Sequence, residues 1–248
     1  MRLSKSWVIA SKDFKIFRRK KNVVYSIIAS PLIVSILIPT IIEYAGHRNG
    51  ASGIPASQLQ VLLPAFTFFY LIIAAYSPTP IASYSLIGEK VEKSLEPLLA
   101  TPTTDTEILF GKGIAAFLPP IGAVFGGATI FMVLMDLVTY DRLGYYYFPN
   151  WNTGVVFLLM VPLAAIMSVE ANVIISSRVS DVRAGQQLGA LMILPFAGIY
   201  VAGELDIIPL GTTSNLLVIS GVLLAVNLLL LYVSRATFRR EEILTKWK

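Results

Sequence analysis

Few side chains in this 248-residue sequence could do chemistry, and a simple count removes most reaction classes. There is no cysteine, which excludes a disulfide framework, a thiolate zinc site and a cysteine nucleophile. His47 is the single histidine, so a His-Glu-x-x-His metal site has no second ligand. Gly111-Lys112-Gly113 has neither the spacing nor the hydroxyl of a phosphate-cradling loop. We therefore expect no catalytic residue and no metal site, and ATP would have to be bound by another chain. Glu170 remains, in Ser168-Val-Glu-Ala-Asn172, well inside an apolar run. A buried ionisable group is costly and points to a pathway or a proton site. The blander reading puts it near the inner end of its run, paired with Arg178 or capped by neighbours, and that is the one expected here. Glu43 and Asp136 lie near the outer ends of other runs and are expected to reach water.

The most informative stretch is polar: Gly88-Glu-Lys-Val-Glu-Lys-Ser-Leu-Glu-Pro-Leu-Leu-Ala-Thr-Pro-Thr-Thr-Asp-Thr-Glu-Ile-Leu-Phe-Gly-Lys112. It opens with a charged cluster from Glu89 to Glu96. Leu95, Leu98 and Leu99 then share one helical face, and Pro102 stops that short helix. Thr104 and Glu107 form a Thr-x-x-Glu capping box ahead of Ile108-Leu-Phe, so a second helix should begin there. Leucines displayed on a short exposed helix need a cover. Either their own bundle supplies it or another protein's groove does.

The elements that must carry this loop follow from composition. The chain is 55% hydrophobic and only 14% charged, with a mean hydropathy of +0.71. That is too apolar to coat a water-soluble globule, and it excludes disorder and collagen. A spanning helix needs roughly 20 apolar residues. Six such runs are read: Val23–Tyr44, Leu59–Ile87, Ile114–Val138, Val155–Ile175, Ala184–Ala202 and Leu216–Val233. The fifth has the shortest uninterrupted core. The second, at 1.5 Å per residue, would run roughly 45 Å to Glu89, and Pro64, Pro78 and Pro80 should kink it. The first run is too long for a signal-peptide core. Ahead of it, Trp7, Ala10, Phe14 and Phe17 recur at helical spacing among basic residues, which reads as a helix lying in the membrane interface.

Charge sets the orientation. Eighteen of the twenty Lys and Arg fall in the two termini and the second and fourth loops, and two fall in the others. By the positive-inside rule both termini are cytoplasmic. Tyr140, Tyr145, Tyr146, Tyr147, Phe148 and Trp151 gather at the outer mouth, where amphipathic rings favour headgroup depth. The net charge of +5 is thereby assigned to topology and inner-leaflet attraction, and no nucleic-acid partner is expected. The outer segment Gly203–Gly211 mixes apolar residues with turn formers and is expected to dip back into the membrane. Gly122-x-x-x-Gly126 and Gly185-x-x-x-Gly189 permit close helix approach, within one chain or between two.

The run Gly-Glu-Lys-x-x-x-Ser-Leu-Glu-Pro-Leu-Leu-Ala-Thr-Pro from Gly88, followed by Glu107-Ile-Leu-x-Gly-Lys112, resembles the permease subunits of type-2 ABC transporters. The whole-chain plan agrees: an interfacial lead-in helix, six spans and both ends inside. A further cytoplasmic loop ends in Arg183-Ala-Gly-Gln-Gln-Leu-Gly189, with Pro195 in the next span. Pro97 departs from the pattern, since the family often has a polar residue there. The resemblance implies an all-α polytopic membrane protein forming one domain over residues 1–248. Residues 1–22 would be its interfacial helix and 88–113 its coupling loop. It implies a multi-pass subunit of the plasma membrane, paired with itself or a paralogue and embedded in lipid. A separate ABC ATPase would bind ATP and Mg, no cofactor would bind this chain, and the complex would export its substrate.

Carried onto matching positions, the resemblance implies that Glu89, Lys90, Glu92, Leu95, Glu96, Leu98, Leu99, Thr101 and Pro102 contact the ATPase. Arg178, Asp181 and Arg183 would form a lesser contact, or else are ordinary interface charges. Motion of the 88–112 loop would tilt span 2 against span 5. On those spans Phe66, Phe69, Tyr70, Tyr76, Met192, Phe196 and Tyr200 could present an aromatic path to hydrophobic cargo, although core or lipid-facing packing explains aromatics as well. Two rival functions stay open: an ion-gradient-driven secondary transporter, which would need carboxylate relays such as Glu170, and a scaffold that transports nothing.

Overall fold

The computed structural model describes residues 3–48, 54–91, 101, 103–205 and 207–237. Among them there are helices and no strands. Six helices are long and apolar enough to cross a membrane: Lys21–Ala45, Ala56–Ser83, Asp105–Leu143, Trp151–Arg178, Val182–Glu204 and Thr213–Arg235, called spans 1 to 6 here. Each overlaps the run read for it from the sequence. The uncertain fifth is present, though interrupted at Leu191–Met192 before it resumes at Ile193.

Span 4 is the hub. In its most apolar stretch 72% of residues are buried, against 17% in span 5. It packs on spans 2, 3, 5 and 6, span 5 leans on span 2 as well, and span 3 carries span 1 and the N-terminal helix. Lipid offers apolar surface as readily as a neighbouring helix does, so association rests on close approach and hydrogen bonds. Both are visible. Asn172 of span 4 donates to the Thr79 hydroxyl at 3.2 Å and accepts from Ser83 at 3.0 Å. Gly189 lies against that knot, where a Cβ would come 2.5 Å from Asn172 Oδ1 and 2.6 Å from Thr79 Cγ2. Gly185 sits equally tightly against Ile87. The Gly185/Gly189 pair therefore packs within one chain, whereas a Cβ on Gly122 or Gly126 would meet nothing within 4 Å.

Span 2 breaks at Pro78 and Pro80, while Pro64 lies inside an unbroken helix. Helix Ala56–Tyr76 ends at Ser77, a short helix Thr79–Ser83 follows, and a π-helical turn Tyr84–Gly88 leads into Glu89–Val91. The Asn172 knot grips the chain just beyond that break, supplying polar partners where the backbone ladder is disturbed. Span 3 is one helix of 39 residues, roughly 58 Å at 1.5 Å per residue. It therefore protrudes past a hydrocarbon core of about 30 Å. Its start has the expected capping box: the Glu107 N–H donates to Thr104 Oγ1 at 3.2 Å, and the Thr104 N–H donates to Glu107 Oε2 at 3.1 Å. Its end is Gly144 at φ +76°, a left-handed position that suits glycine.

Two expectations about acidic residues are corrected. Asp136 does not reach water freely: it is 9% exposed and accepts the Tyr147 and Phe148 N–H groups at 2.9 and 3.1 Å, tying the loop between spans 3 and 4 to span 3. The bend of the loop after Gly144 returns those amides to the helix they left. Burial in that loop also pushes the Tyr147 phenol up. Glu43 behaves as expected, half-exposed beside Arg142 at 3.7 Å. Glu170 is paired with neither Arg178 nor a capping neighbour. It is 8% exposed, its Oε2 has no hydrogen-bond partner among the described residues, and the charge that acts on it is Arg235 of span 6.

Candidate coupling site

The N-terminal helix Leu3–Arg19 turns Ser6, Ile9, Ala10, Asp13 and Phe17 inward, a stripe with helical spacing. This stripe packs on the start of span 3 at Gly111, where a Cβ would come 2.6 Å from the Ser6 carbonyl oxygen and 2.9 Å from Ile9 Cβ. Only glycine lets the two backbones approach so closely. Trp7 is left 55% exposed at the rim of the contact. The packing carries one carboxylate, Asp13, into an otherwise apolar seam, where it is 2% exposed.

Lys112 follows Gly111 and enters the same seam. Its ammonium donates to Glu89 Oε2 at 2.6 Å and to the Ser85 carbonyl at 2.8 Å, with Asp13 Oδ2 at 3.7 Å. The Ser85 hydroxyl donates to Asp13 Oδ2 at 2.7 Å, and Lys12 reaches Glu89 Oε1 at 2.8 Å from the solvent side. Two carboxylates and two ammonium groups thus balance in charge, and all but Lys12 are buried. Burial pushes the Asp13 carboxyl above its ordinary range; the Lys112 ammonium and the Ser85 hydroxyl pull the other way. Aromatic contacts fasten the same segment. Lys20 stands 3.3 Å from the centre of the Tyr84 ring, and Phe17 meets that ring edge-on at 6.3 Å.

The result is a three-part joint: the N-terminal helix, the segment Tyr84–Val91 and the start of span 3. It holds the entrance of the 88–112 loop in fixed register with its exit, since Glu89 and Lys112 are the two ends of that loop. Among the described residues no group of acids and histidine could hold a metal.

The residues expected to touch an ATPase divide accordingly. Glu89 is 6% exposed and its carboxylate is committed inside the joint. Lys90 lies in the helical turn Glu89–Val91. Glu92, Leu95, Glu96, Leu98, Leu99 and Pro102 lie outside the described residues. Thr101 is exposed, its hydroxyl 2.8 Å from that of Thr103. Arg178, Asp181 and Arg183 are exposed on the same side of the bundle, where Asp181 caps the start of span 5 by accepting the Ala184 N–H at 2.9 Å. Gly185, one turn on, touches Ile87 and Ser83 and so links this second loop to the joint.

The aromatic path residues separate too. Phe69 of span 2 and Tyr200 of span 5 meet at 5.0 Å. Tyr76 is 36% exposed, and Phe66 and Met192 pack half-buried on the core. Tyr70 and Phe196 are wholly enclosed within the chain and present no surface to a passing molecule. Tyr70 instead reaches Ser35 at 2.7 Å and lies against Phe131 and Phe157.

The sequence reading did not assign Asp13 or Lys112 to the site. A local signal existed for Lys112, a lysine two residues ahead of the third apolar run. A family model described as ABC-2 type transporter matches residues 5–202, a stretch that includes the whole joint and spans 1 to 5 up to Ala202. No curated protein matches the chain.

Proposed function

The chain belongs to the ABC-2 type transporter family, and from that premise we propose that it is the membrane subunit of an ATP-driven exporter. A separate ABC ATPase binds ATP and Mg and docks on the 88–112 loop. Glu92, Leu95, Glu96, Leu98 and Leu99 form the main contact, with Lys90, Thr101 and Pro102 at its borders. Arg178, Asp181 and Arg183 form a second contact. Two permease chains, identical or paralogous, pair around the path, with both termini in the cytoplasm and the complex in the plasma membrane.

The buried joint carries this reading. A loop that only connects two helices needs no pinned ends. Here the two ends are tied by Glu89–Lys112 at 2.6 Å and anchored to a third element. A force applied to the loop therefore reaches span 3 and the N-terminal helix together. Glu89 acts in this scheme as an anchor, with the more distal loop residues meeting the ATPase. The Phe69–Tyr200 face between spans 2 and 5 is the part of the path that shifts as the loop moves.

The test begins with the tagged chain in its native membrane. A soluble ATPase should co-purify in stoichiometric amount. Changing Leu98 and Leu99 to Asp should abolish its retention and the stimulation of ATP hydrolysis while the permease stays folded. A permease that purifies without an ATPase, or coupling that survives both substitutions, overturns the proposal.

A further inference from the structure

A second feature lies at Trp7, on the same N-terminal helix that carries Asp13 into the joint. Trp7, the start of span 3 and the ends of spans 4 and 6 enclose a groove of about 560 Å³. Phe110 and Phe117 line it from span 3, Leu231 and Ser234 from span 6, and Glu170 from span 4. It is distinct from the Phe69–Tyr200 face, which spans 2 and 5 build.

The lining is apolar apart from two side chains. The Ser234 hydroxyl is engaged, donating to the Leu231 carbonyl at 3.0 Å. Glu170 is not: it is more than nine-tenths buried and its Oε2 has no hydrogen-bond partner among the described residues. Among the described residues it is the only ionisable group in the lining. Its position is eight residues before Arg178, roughly 12 Å along the helix at 1.5 Å per residue, about two turns inside the end of the span. Arg235 acts on it electrostatically, but its side chain is exposed at the span 6 terminus. A carboxyl held in such a place without a partner is costly and calls for a donor.

We propose that this groove binds a single-chain cationic amphiphile, an ammonium group on an apolar body, drawn from the leaflet on the basic side of the bundle. The ammonium donates to Glu170, and the apolar body lies along span 3. Charge complementarity selects the cation over a neutral donor, because among the described residues no cation is hydrogen-bonded to the Glu170 carboxyl and Arg235 acts on it only from the exposed end of span 6. Three aromatic rings in the lining, those of Trp7, Phe110 and Phe117, favour a cation as well. The volume falls among small-molecule sites of roughly 300–1,000 Å³. It accommodates one hydrocarbon chain or a compact ring system and not a two-tailed phospholipid. A bound molecule would bridge the N-terminal helix to spans 4 and 6.

The test uses the full chain in phosphatidylcholine nanodiscs, without nucleotide, so it stands or falls independently of the coupling reading. Trp151 and Trp247 are replaced by Phe, leaving Trp7 as the reporter. Bromododecylamine should quench Trp7 saturably, and at least tenfold more tightly than bromododecanol at equal membrane mole fraction. Glu170→Gln, nearly isosteric, should bring the amine down to the alcohol's affinity. Gly113→Leu gives a control that leaves Glu170 in place. A Cβ at Gly113 meets only Val169 Cγ1, at 3.8 Å, so the larger side chain fills the groove and should end saturable quenching by both probes. Equal affinity for amine and alcohol, an unchanged amine affinity in Glu170→Gln, or saturable quenching that survives Gly113→Leu overturns the proposal. Saturable quenching by a brominated phosphatidylethanolamine overturns the single-chain assignment.

Discussion

Replacing Lys112 with Met should be among the most damaging single changes to the joint, and the structure says by how much. Lys112 is 2% exposed and makes the 2.6 Å contact to Glu89, the 2.8 Å contact to the Ser85 carbonyl and the 3.7 Å approach to Asp13. Met keeps most of the volume and removes the charge, so the loss is electrostatic rather than a cavity. Removing one partner of a buried ion pair typically costs about 3–5 kcal/mol. Glu89 retains Lys12, whose side chain is 44% exposed. Asp13 keeps the Ser85 hydroxyl but loses its nearest buried cation, and so bears most of the penalty. For a chain of this size that corresponds to a fall in Tm of roughly 6–20 °C. The sign of the pH dependence follows. The Asp13 carboxyl is already held above its ordinary value by burial, and Lys112 opposes that rise. Without Lys112 the folded-state value rises further. A carboxyl raised in the folded state favours folding below its unfolded value, and that contribution is lost as pH climbs through the folded value. The Lys112→Met deficit should therefore be largest at neutral pH and shrink on acidification. The assay is thermal unfolding of the detergent-solubilised chain from pH 7 down to pH 5. Combining Lys112→Met with Asp13→Asn should recover much of the loss, because deleting a buried pair together is far milder than orphaning one member. A single variant as stable as the parent, or a double variant that is merely additive, refutes the reasoning.

Gly189→Ala should destabilise by about 1–3 kcal/mol, since its Cβ would collide with Asn172 and Thr79, while Gly126→Ala should be silent in the isolated chain; thermal unfolding of both variants checks this, and equal effects would contradict the packing. Asp136→Ala should cost about 1–3 kcal/mol by leaving the Tyr147 and Phe148 amides without their acceptor. It should also speed proteolysis of the outer loop in proteoliposomes, and unchanged cleavage would show that the carboxylate does not hold the loop.

The parts of this fold that are legible in sequence are those governed by local rules. Run length alone gives the six spans. Thr104 and Glu107 give the start of span 3 because both capping bonds form within four residues. Pro78 and Pro80 mark the break in span 2, where proline removes helical hydrogen bonds, although Pro64 and the prolines of spans 1 and 3 sit inside unbroken helices. The site was less legible because its contacts are long-range. Asp13 and Ser85 are 72 residues apart. Nothing local distinguishes Asp13 from the other charges of a basic amphipathic helix. Glu89 looks like a loop charge until the π-helical turn before it rotates its carboxylate toward span 3. The two Gly-x-x-x-Gly pairs have identical spacing, yet one is buried and the other open. Motif spacing reports that close approach is possible; the partner decides whether it happens.

The joint also changes where motion should arise. A lever running from the loop directly into span 2 would bend that span as the loop moved. The segment Tyr84–Val91, however, is fastened to the N-terminal helix by Ser85–Asp13, Lys12–Glu89 and Lys20–Tyr84, and to span 3 through Lys112. It therefore moves with those elements. The helical ladder of span 2 is weakest at Ser77–Pro78, where one helix ends and the next begins. Span 5 is broken at Leu191–Met192, just beyond the Gly189 contact. Between the two breaks the Asn172 knot ties span 4 to the short helix Thr79–Ser83. Displacement of the joint should be absorbed at these two breaks, with the Asn172 knot as fulcrum, and the Phe69–Tyr200 contact beyond them should part. Nitroxide pairs placed across position 69 on span 2 and position 200 on span 5 would then change separation on ATP binding to the assembled complex, while pairs joining positions 8 and 110 stay fixed. A changing 8–110 distance with a constant 69–200 distance would put the hinge inside the joint and overturn this arrangement.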